Sequence, residues 1–125
     1  MISHFATVLS DFQRRSGRSQ RAVALAAELD PGRYSRLLSG EREPASRAQV
    51  LLLATALGLD RHATDRLVAA AGYLPPSLER VSIDDPSLIA LIDALADPTL
   101  AEPARAALRR TVIELAAHWG ARRQP

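Results

Sequence analysis

The chain has 125 residues, enough for one domain with a small appended segment; 47% are hydrophobic but only 4% are aromatic. Leucine, alanine, valine and isoleucine must form most of the core, which favours packed helices over a sheet. The absence of cysteine excludes disulfides and cysteine-ligated metals, and no apolar run reaches the about 20 residues of a membrane span.

Positive charge is concentrated near the N-terminus, although the net charge is only +2. All sixteen basic residues are arginine, and residues 1–47 contain eight of them against five acidic residues. Residues 48–84 contain three arginines and four acids, and residues 85–125 contain five of each. Such an uneven distribution is expected for a protein that contacts phosphate. Arginine on an ordinary solvated surface explains the charge equally well.

Five helices are predicted in the first part of the chain. The spacing of apolar residues places them at residues 3–15, 20–28, 31–39, 47–57 and 61–71. Each follows a residue whose side-chain oxygen can accept a hydrogen bond from an unpaired amide, and these expected N-caps are Ser3, Ser19, Asp30, Ser46 and Asp60. Gly40 is expected to end the third helix in a left-handed conformation.

The third predicted helix has two contrasting faces. Tyr34, Leu37 and Leu38 form its inner apolar stripe. Polar residues lie on or beside the opposite face, namely Arg33, Ser35, Arg36 and Ser39. Arginine and serine close to a helix start can contact both bases and phosphates. The alternative is an amphipathic helix with a solvated face.

The C-terminal part is predicted to contain a linker and two more helices. Residues 75–86 begin with two prolines and are expected to form a linker or extended arm. A sixth helix is expected to begin at Pro86 with Asp85 as its cap, and a seventh covers about 103–119. The predicted organisation is therefore a domain at 1–76, a linker at 77–85 and a helical segment at 86–120.

Catalytic and metal-binding motifs are not found in the sequence. His4, His62 and His118 are scattered and have no partner at metal-ligand spacing. There is no phosphate-binding loop, nucleophile elbow or dinucleotide-binding fingerprint. We therefore expect no enzyme activity, no metal and no cofactor. The N-terminal residues lack the features of a signal peptide, and a cytoplasmic protein is expected.

The order of these features resembles the lambda-repressor-like, or xenobiotic-response-element-type, helix-turn-helix family. The family spacing is matched without a gap by Ser19-Gln20, Val23-Ala24, Leu29, Tyr34, Leu37, Gly40 and Pro44. The resemblance covers residues 1 to about 76. It implies an all-α fold, with a five-helix domain followed here by a two-helix C-terminal segment.

The resemblance also implies that residues 31–39 form a reading helix in the major groove of double-stranded DNA. The first two positions of that helix, often polar base readers in the family, are Pro31 and Gly32. Direct readout is therefore expected from Arg33 and Arg36, with Ser35 and Ser39 as helpers. Because arginine matches the O6 and N7 acceptors of guanine, a half-site containing guanine is the resulting hypothesis.

Phosphate contacts are likewise implied by the resemblance. The candidates are Ser19, Gln20, Arg21, Arg42 and Arg47. Glu41 and Glu43 flank Arg42 and oppose a phosphate contact there. One further departure lies in the turn, where Glu28 occupies a position that is usually glycine. If the turn keeps its left-handed residue, Glu28 bears a backbone cost of roughly 1 kcal/mol.

Members of this family often append a segment for dimerisation or effector sensing, and the last two helices match the first role. Two helices alone cannot close a core. The expected dimer contacts are Leu88, Leu91, Ile92, Leu95, Leu108, Val112, Leu115 and Trp119. The alternative is that these helices fold back onto helices one and five.

The predicted function is a DNA-binding transcriptional regulator, a repressor that occupies an operator as a homodimer. The alternative is a protein-interaction module, such as an antitoxin or an anti-regulator scaffold, that uses the same fold without specific DNA readout. Pro31, Gly32, Glu28 and the small net charge favour this alternative. The sequence identifies no effector or protein partner.

Overall fold

The computed structural model describes residues 3–121, and this range contains helices but no strand. The helices are α1 (His4–Ser16), α2 (Gln20–Ala26), α3 (Pro31–Ser39), α4 (Arg47–Ala56), α5 (Arg61–Ala70), α6 (Pro76–Val81), α7 (Pro86–Ala96) and α8 (Glu102–Ala121). The predicted all-α fold is confirmed. All except α6 lie within two residues of the bounds predicted from apolar spacing.

Local capping explains where the first five helices begin. In each of them the residue before the helix accepts a hydrogen bond from the amide three residues later, at 2.8–3.1 Å. These residues are Ser3, Ser19, Asp30, Ser46 and Asp60, as predicted. Each such cap contributes about 1 kcal/mol to the stability of its helix.

One hydrophobic core joins α1 to α5. Its largest fully buried side chains are Tyr34, Phe5, Leu9, Leu37, Leu53 and Leu67. Tyr34 and Leu37 come from α3, which packs against both α1 and α2. Complete burial of a leucine contributes about 1.5–3 kcal/mol, so α3 is firmly anchored by its inner stripe. Its opposite face is thereby held towards solvent.

The linker predicted at 77–85 is wrong in its first part, because Pro76–Val81 forms the short helix α6. Its N-cap residue, Pro75, provides no side-chain hydrogen bond. The carboxylate of Asp65 in α5 accepts instead from the backbone amide of Ser77, at 3.0 Å. A second contact is the ion pair between Arg47 Nη2 and Glu79 Oε2, which lie 2.7 Å apart. Both contacts hold α6 against the preceding helices.

The Asp65 carboxyl titrates below its usual range because of this contact. The side chain and the backbone amide of Ser77 both lower the pKa of Asp65. Of the two, only the amide makes a well-formed hydrogen bond, since the buried Ser77 Oγ has no partner within hydrogen-bonding geometry. We therefore assign the lowered pKa mainly to the amide. The carboxylate form of Asp65 is the form that caps α6.

The chain divides into two compact units between Ser82 and Ile83. The second unit contains α7 and α8, and none of its described side chains is fully buried. Arg105 joins the two helices by donating to the backbone oxygens of Leu95 and Asp97, at 3.0 and 2.8 Å. The side-chain and backbone hydrogen bonds from Thr99 lower the pKa of Asp97 in the same turn.

Candidate nucleic-acid interface

The outer face of α3 presents the four residues predicted to read bases. Arg33, Ser35, Arg36 and Ser39 are all exposed. Ser39 is partly occupied at the helix end, where its hydroxyl donates to the Arg36 carbonyl at 3.1 Å. The same oxygen accepts from the Glu41 amide at 3.3 Å. Ser35 has no such local role, so it is the more available of the two hydroxyl groups.

Three arginines converge beside this face. Arg33, Arg36, Arg42 and Glu43 line one cleft of about 320 Å³. Within residues 3–121, none of the three guanidinium groups forms an ion pair within 4.0 Å. The Glu43 carboxylate in the same cleft partly offsets their positive charge. An anionic ligand such as a nucleic-acid backbone would meet a net positive surface here.

Gly32 shapes the first turn of α3. A Cβ atom at this position would lie 3.0 Å from Asp30 Oδ2 and 3.5 Å from Arg36 Nη1. The Arg36 guanidinium therefore lies beside the empty space that Gly32 leaves. A residue with a longer side chain would compete with Arg36 for that space, so Gly32 leaves room for the Arg36 guanidinium.

A buried polar pair fixes α3 against α1. The Tyr34 hydroxyl donates to Gln13 Oε1 at 2.5 Å, and Gln13 Nε2 donates to the Arg18 carbonyl at 2.7 Å. Gln13 is 8% exposed, and burial raises the pKa of the Tyr34 phenol. Tyr34 was predicted as an inner residue, whereas no role was predicted for Gln13. Its position four residues after Leu9, on the apolar face of α1, was the available signal.

The residues predicted to hold phosphate are dispersed. The Ser19 hydroxyl caps α2, and exposed Gln20 lies in a different cleft of about 500 Å³ between α1, α2 and α3. Arg21 lies at a third cleft with Leu25. Arg42 alone among the phosphate candidates shares the cleft of Arg33 and Arg36.

Arg47 is engaged elsewhere. Besides its ion pair with Glu79, its Nε donates to the Leu74 carbonyl at 3.2 Å. A phosphate contact by Arg47 would have to compete with both of these interactions. Arg18 is similarly occupied, since its guanidinium donates to the Ala56 carbonyl at the other end of α4.

Glu28 adopts the backbone conformation that the family pattern requires of the turn. Its φ is +60°, and the next amide, that of Leu29, donates to the Ala24 carbonyl at 2.8 Å. The turn between α2 and α3 is therefore tight and hydrogen-bonded despite its unfavourable residue. Leu29 packs under it against the core.

Among the described residues, no group of three or more histidine, cysteine, aspartate or glutamate side chains could hold a metal ion. None of the described helices is both long and apolar enough to cross a membrane.

Comparison with known proteins identifies the N-terminal unit. Residues 4–67, which are about half of the chain, match the family model of a helix-turn-helix domain. This range contains α1 to α4 and most of α5, including the turn at Glu28 and the cleft formed by Arg33, Arg36 and Arg42. No curated protein and no solved structure matches the chain.

Proposed function

Because the chain belongs to the helix-turn-helix domain family, we propose that it is a sequence-specific transcriptional regulator that inserts α3 into the major groove of DNA. A helix-turn-helix domain by itself indicates a DNA-binding regulator. The proposal of specific readout depends on one observation: Arg33, Arg36 and Arg42 line a single cleft without ion-pair partners among the described residues.

Arg33 and Arg36 are the proposed base readers, and Ser35 and Ser39 assist them. An arginine that bonds O6 and N7 of guanine discriminates against other bases by about 1–3 kcal/mol. Both arginines lie on the exposed face of a helix whose inner face is anchored in the core. We therefore expect each half-site to contain guanine opposite these two side chains.

The proposed phosphate contacts lie partly within and partly outside the arginine cleft. Arg42 lies in the cleft itself, and Gln20 and Arg21 lie at the exposed start of α2 next to the capping residue Ser19. Such contacts fix the register of the protein without reading sequence. Arg47 contributes only when its ion pair with Glu79 opens.

We further propose that the protein binds its operator as a homodimer through the second unit. The α7 helix has 11 residues and α8 has 20, so α8 is nearly twice as long. Along the apolar stripe of α8, Leu108 and Val112 are partly buried, whereas Leu115 and Trp119 are 57% and 58% exposed. A two-fold dimer would place two reading helices about 34 Å apart, one turn of DNA. Occupation of such a site would repress transcription.

The decisive experiment compares selected and random duplexes across a salt series. A regulator should bind its selected sequence about 10³-fold or more tightly than random DNA, with affinity falling steeply as salt increases. The variants Arg33→Ala and Arg36→Ala should remove the preference for guanine at one position each. Substitution of the exposed Arg80 in α6 by alanine is the matched control and should leave this preference unchanged.

The second candidate function is a protein-interaction module that does not read DNA. The Glu43 carboxylate within the arginine cleft favours it, because this charge repels phosphate. An interaction module would bind selected and random duplexes with equal, weak affinity. That result would reject sequence-specific readout.

A further inference from the structure

Polar contacts hold α6, the last helix of the first unit. The Asp65 carboxylate of α5 accepts from the Ser77 amide at 3.0 Å, and Arg47 forms its ion pair with Glu79 at 2.7 Å. No side chain of α6 is fully buried, and the hydrophobic core of α1 to α5 includes none of them. The range that matches the helix-turn-helix domain also ends before α6, at residue 67. The helix can therefore be released while the rest of the first unit stays folded.

The backbone is strained where α6 ends. Ser82, which follows the helix, has a φ of +82° and a ψ of 130°, a combination that favours glycine. Six residues are too few for a helix that is stable in isolation. If the contacts of Asp65 and Glu79 were broken, α6 would therefore unfold and the strain at Ser82 would be relieved. The polar contacts favour the docked state and the strain opposes it, so α6 is a two-state element.

The state of α6 sets the length of the chain that joins the two units. The units divide after Ser82, and α7 begins at Pro86 behind its cap, Asp85. With α6 docked, the tether between the units is residues 82–85, which span at most about 14 Å when fully extended. With α6 released, the tether is residues 75–85. It then spans at most about 40 Å and has an average end-to-end distance of about 18 Å.

We propose that docked α6 restricts the spacing of the two DNA half-sites that one dimer can bind. This inference rests on the proposed function, in which the first unit reads DNA and the second unit forms the dimer. One additional turn of DNA moves the half-sites about 34 Å further apart, so each tether must reach about 17 Å further. The docked tether cannot lengthen by that amount, whereas the released tether covers it at its average length. Asp65 and Glu79 thereby determine the operator spacing without contacting DNA.

The test measures the affinity of the full-length protein for duplexes that carry two selected half-sites at increasing separation. An added full turn keeps both half-sites on the same side of the duplex, so only the distance between them changes. The wild-type protein should bind one separation best. It should lose most of the advantage of two half-sites over one when a turn is added, because the second half-site is then out of reach.

Asp65→Ala should reduce this loss about tenfold, the factor expected for one broken hydrogen bond to a charged group. The substitution removes the acceptor of the Ser77 amide and places a good helix former in α5. The double variant Asp65→Ala/Glu79→Gln, which also breaks the ion pair with Arg47, should reduce the loss further. Each value is a ratio between two separations for the same protein, so a general gain in DNA affinity from the freed Arg47 cancels.

Arg80→Ala is the matched control, because Arg80 is an exposed residue of α6 that takes part in neither contact. It should keep the wild-type spacing preference. Hydrogen exchange of the α6 amides measures the release of the helix in each variant. If α6 stays protected in the double variant, or is released there without any change in spacing preference, the inference is overturned and the proposed function stands. The same holds if the wild-type protein tolerates the added turn without loss. If the wild-type chain binds two half-sites no better than one, dimeric binding fails and the inference fails with it.

Discussion

At the scale of single residues, the orientation of α3 depends on a buried hydrogen bond. Tyr34 is completely buried, and its hydroxyl donates to the side-chain oxygen of Gln13, which is itself 8% exposed. A buried polar group that loses its partner costs about 1–3 kcal/mol, whereas replacing both partners by apolar groups costs much less. The pair therefore links α3 to α1 in a way that hydrophobic contact alone would not specify.

We predict that Tyr34→Phe and Gln13→Leu each lower the free energy of unfolding by about 1–3 kcal/mol. Tyr34→Phe leaves Gln13 Oε1 without its donor, and Gln13→Leu leaves the Tyr34 hydroxyl and the Arg18 carbonyl without the Gln13 side chain. The double variant should lose clearly less than the sum of the two single losses. Urea denaturation of the three variants tests this. Tyr73→Phe is the control, since the partly buried Tyr73 side chain forms no hydrogen bond with another residue of the described range 3–121. Additive losses in the double variant would show that the two side chains do not act as a pair.

At the scale of helices, the elements that could be predicted are those whose signals are local. Ser19 and Asp30 each accept a hydrogen bond from the amide three residues ahead, so the starts of α2 and α3 could be predicted from the local sequence. The helix α6 could not be predicted in this way, because its capping carboxylate, Asp65, lies twelve residues away from Ser77. A six-residue helix is too short to be stable by itself, so only tertiary contacts produce it. Pro75 and Pro76 therefore indicated a linker.

We predict that docking of α6 weakens in acid because it depends on Asp65. Its pKa is lowered in the folded chain, so its contribution is present above the unfolded value of about 3.9 and is lost as pH falls through the lower folded value. Asp65→Asn should weaken the docking of α6 already at neutral pH and abolish its dependence on pH. Hydrogen exchange of the α6 amides, that of Ser77 first, measures the effect. Asp93→Asn, on exposed α7, is the control. Unchanged protection in Asp65→Asn would contradict the prediction.

At the scale of the whole molecule, the two ends of the chain differ in charge. The excess of arginine lies within residues 1–47, whereas residues 85–125 are neutral and carry exposed apolar side chains such as Ile92 and Ile113. Apolar spacing predicted α7 and α8, but it could not show which part of the stripe on α8 stays uncovered. That depends on the lengths of the two helices. At 1.5 Å per residue, α7 is about 16 Å long and α8 is about 30 Å long.

We predict that Leu115→Asp makes the protein monomeric. Leu115 is 57% exposed, so the substitution should leave the fold of each unit intact while placing a charge in a two-fold interface. The wild-type chain should sediment at twice its mass of 13.5 kDa, and the variant at that mass. The variant should also lose affinity for a duplex with two half-sites while keeping its affinity for a single half-site, because only the coupling between reading helices is removed.

Ala106→Asp provides the control on the opposite face of the same helix, since nine residues turn an α-helix through about 900°, or two and a half turns. Ala106 is exposed, and its substitution should change neither the mass nor the affinity. If Leu115→Asp keeps the dimer mass and the affinity for two half-sites, the exposed half of α8 is not the dimer interface. If the wild-type chain is itself a monomer that binds two half-sites no better than one, dimeric binding to an operator is rejected, whereas readout by Arg33 and Arg36 can still be tested on a single half-site.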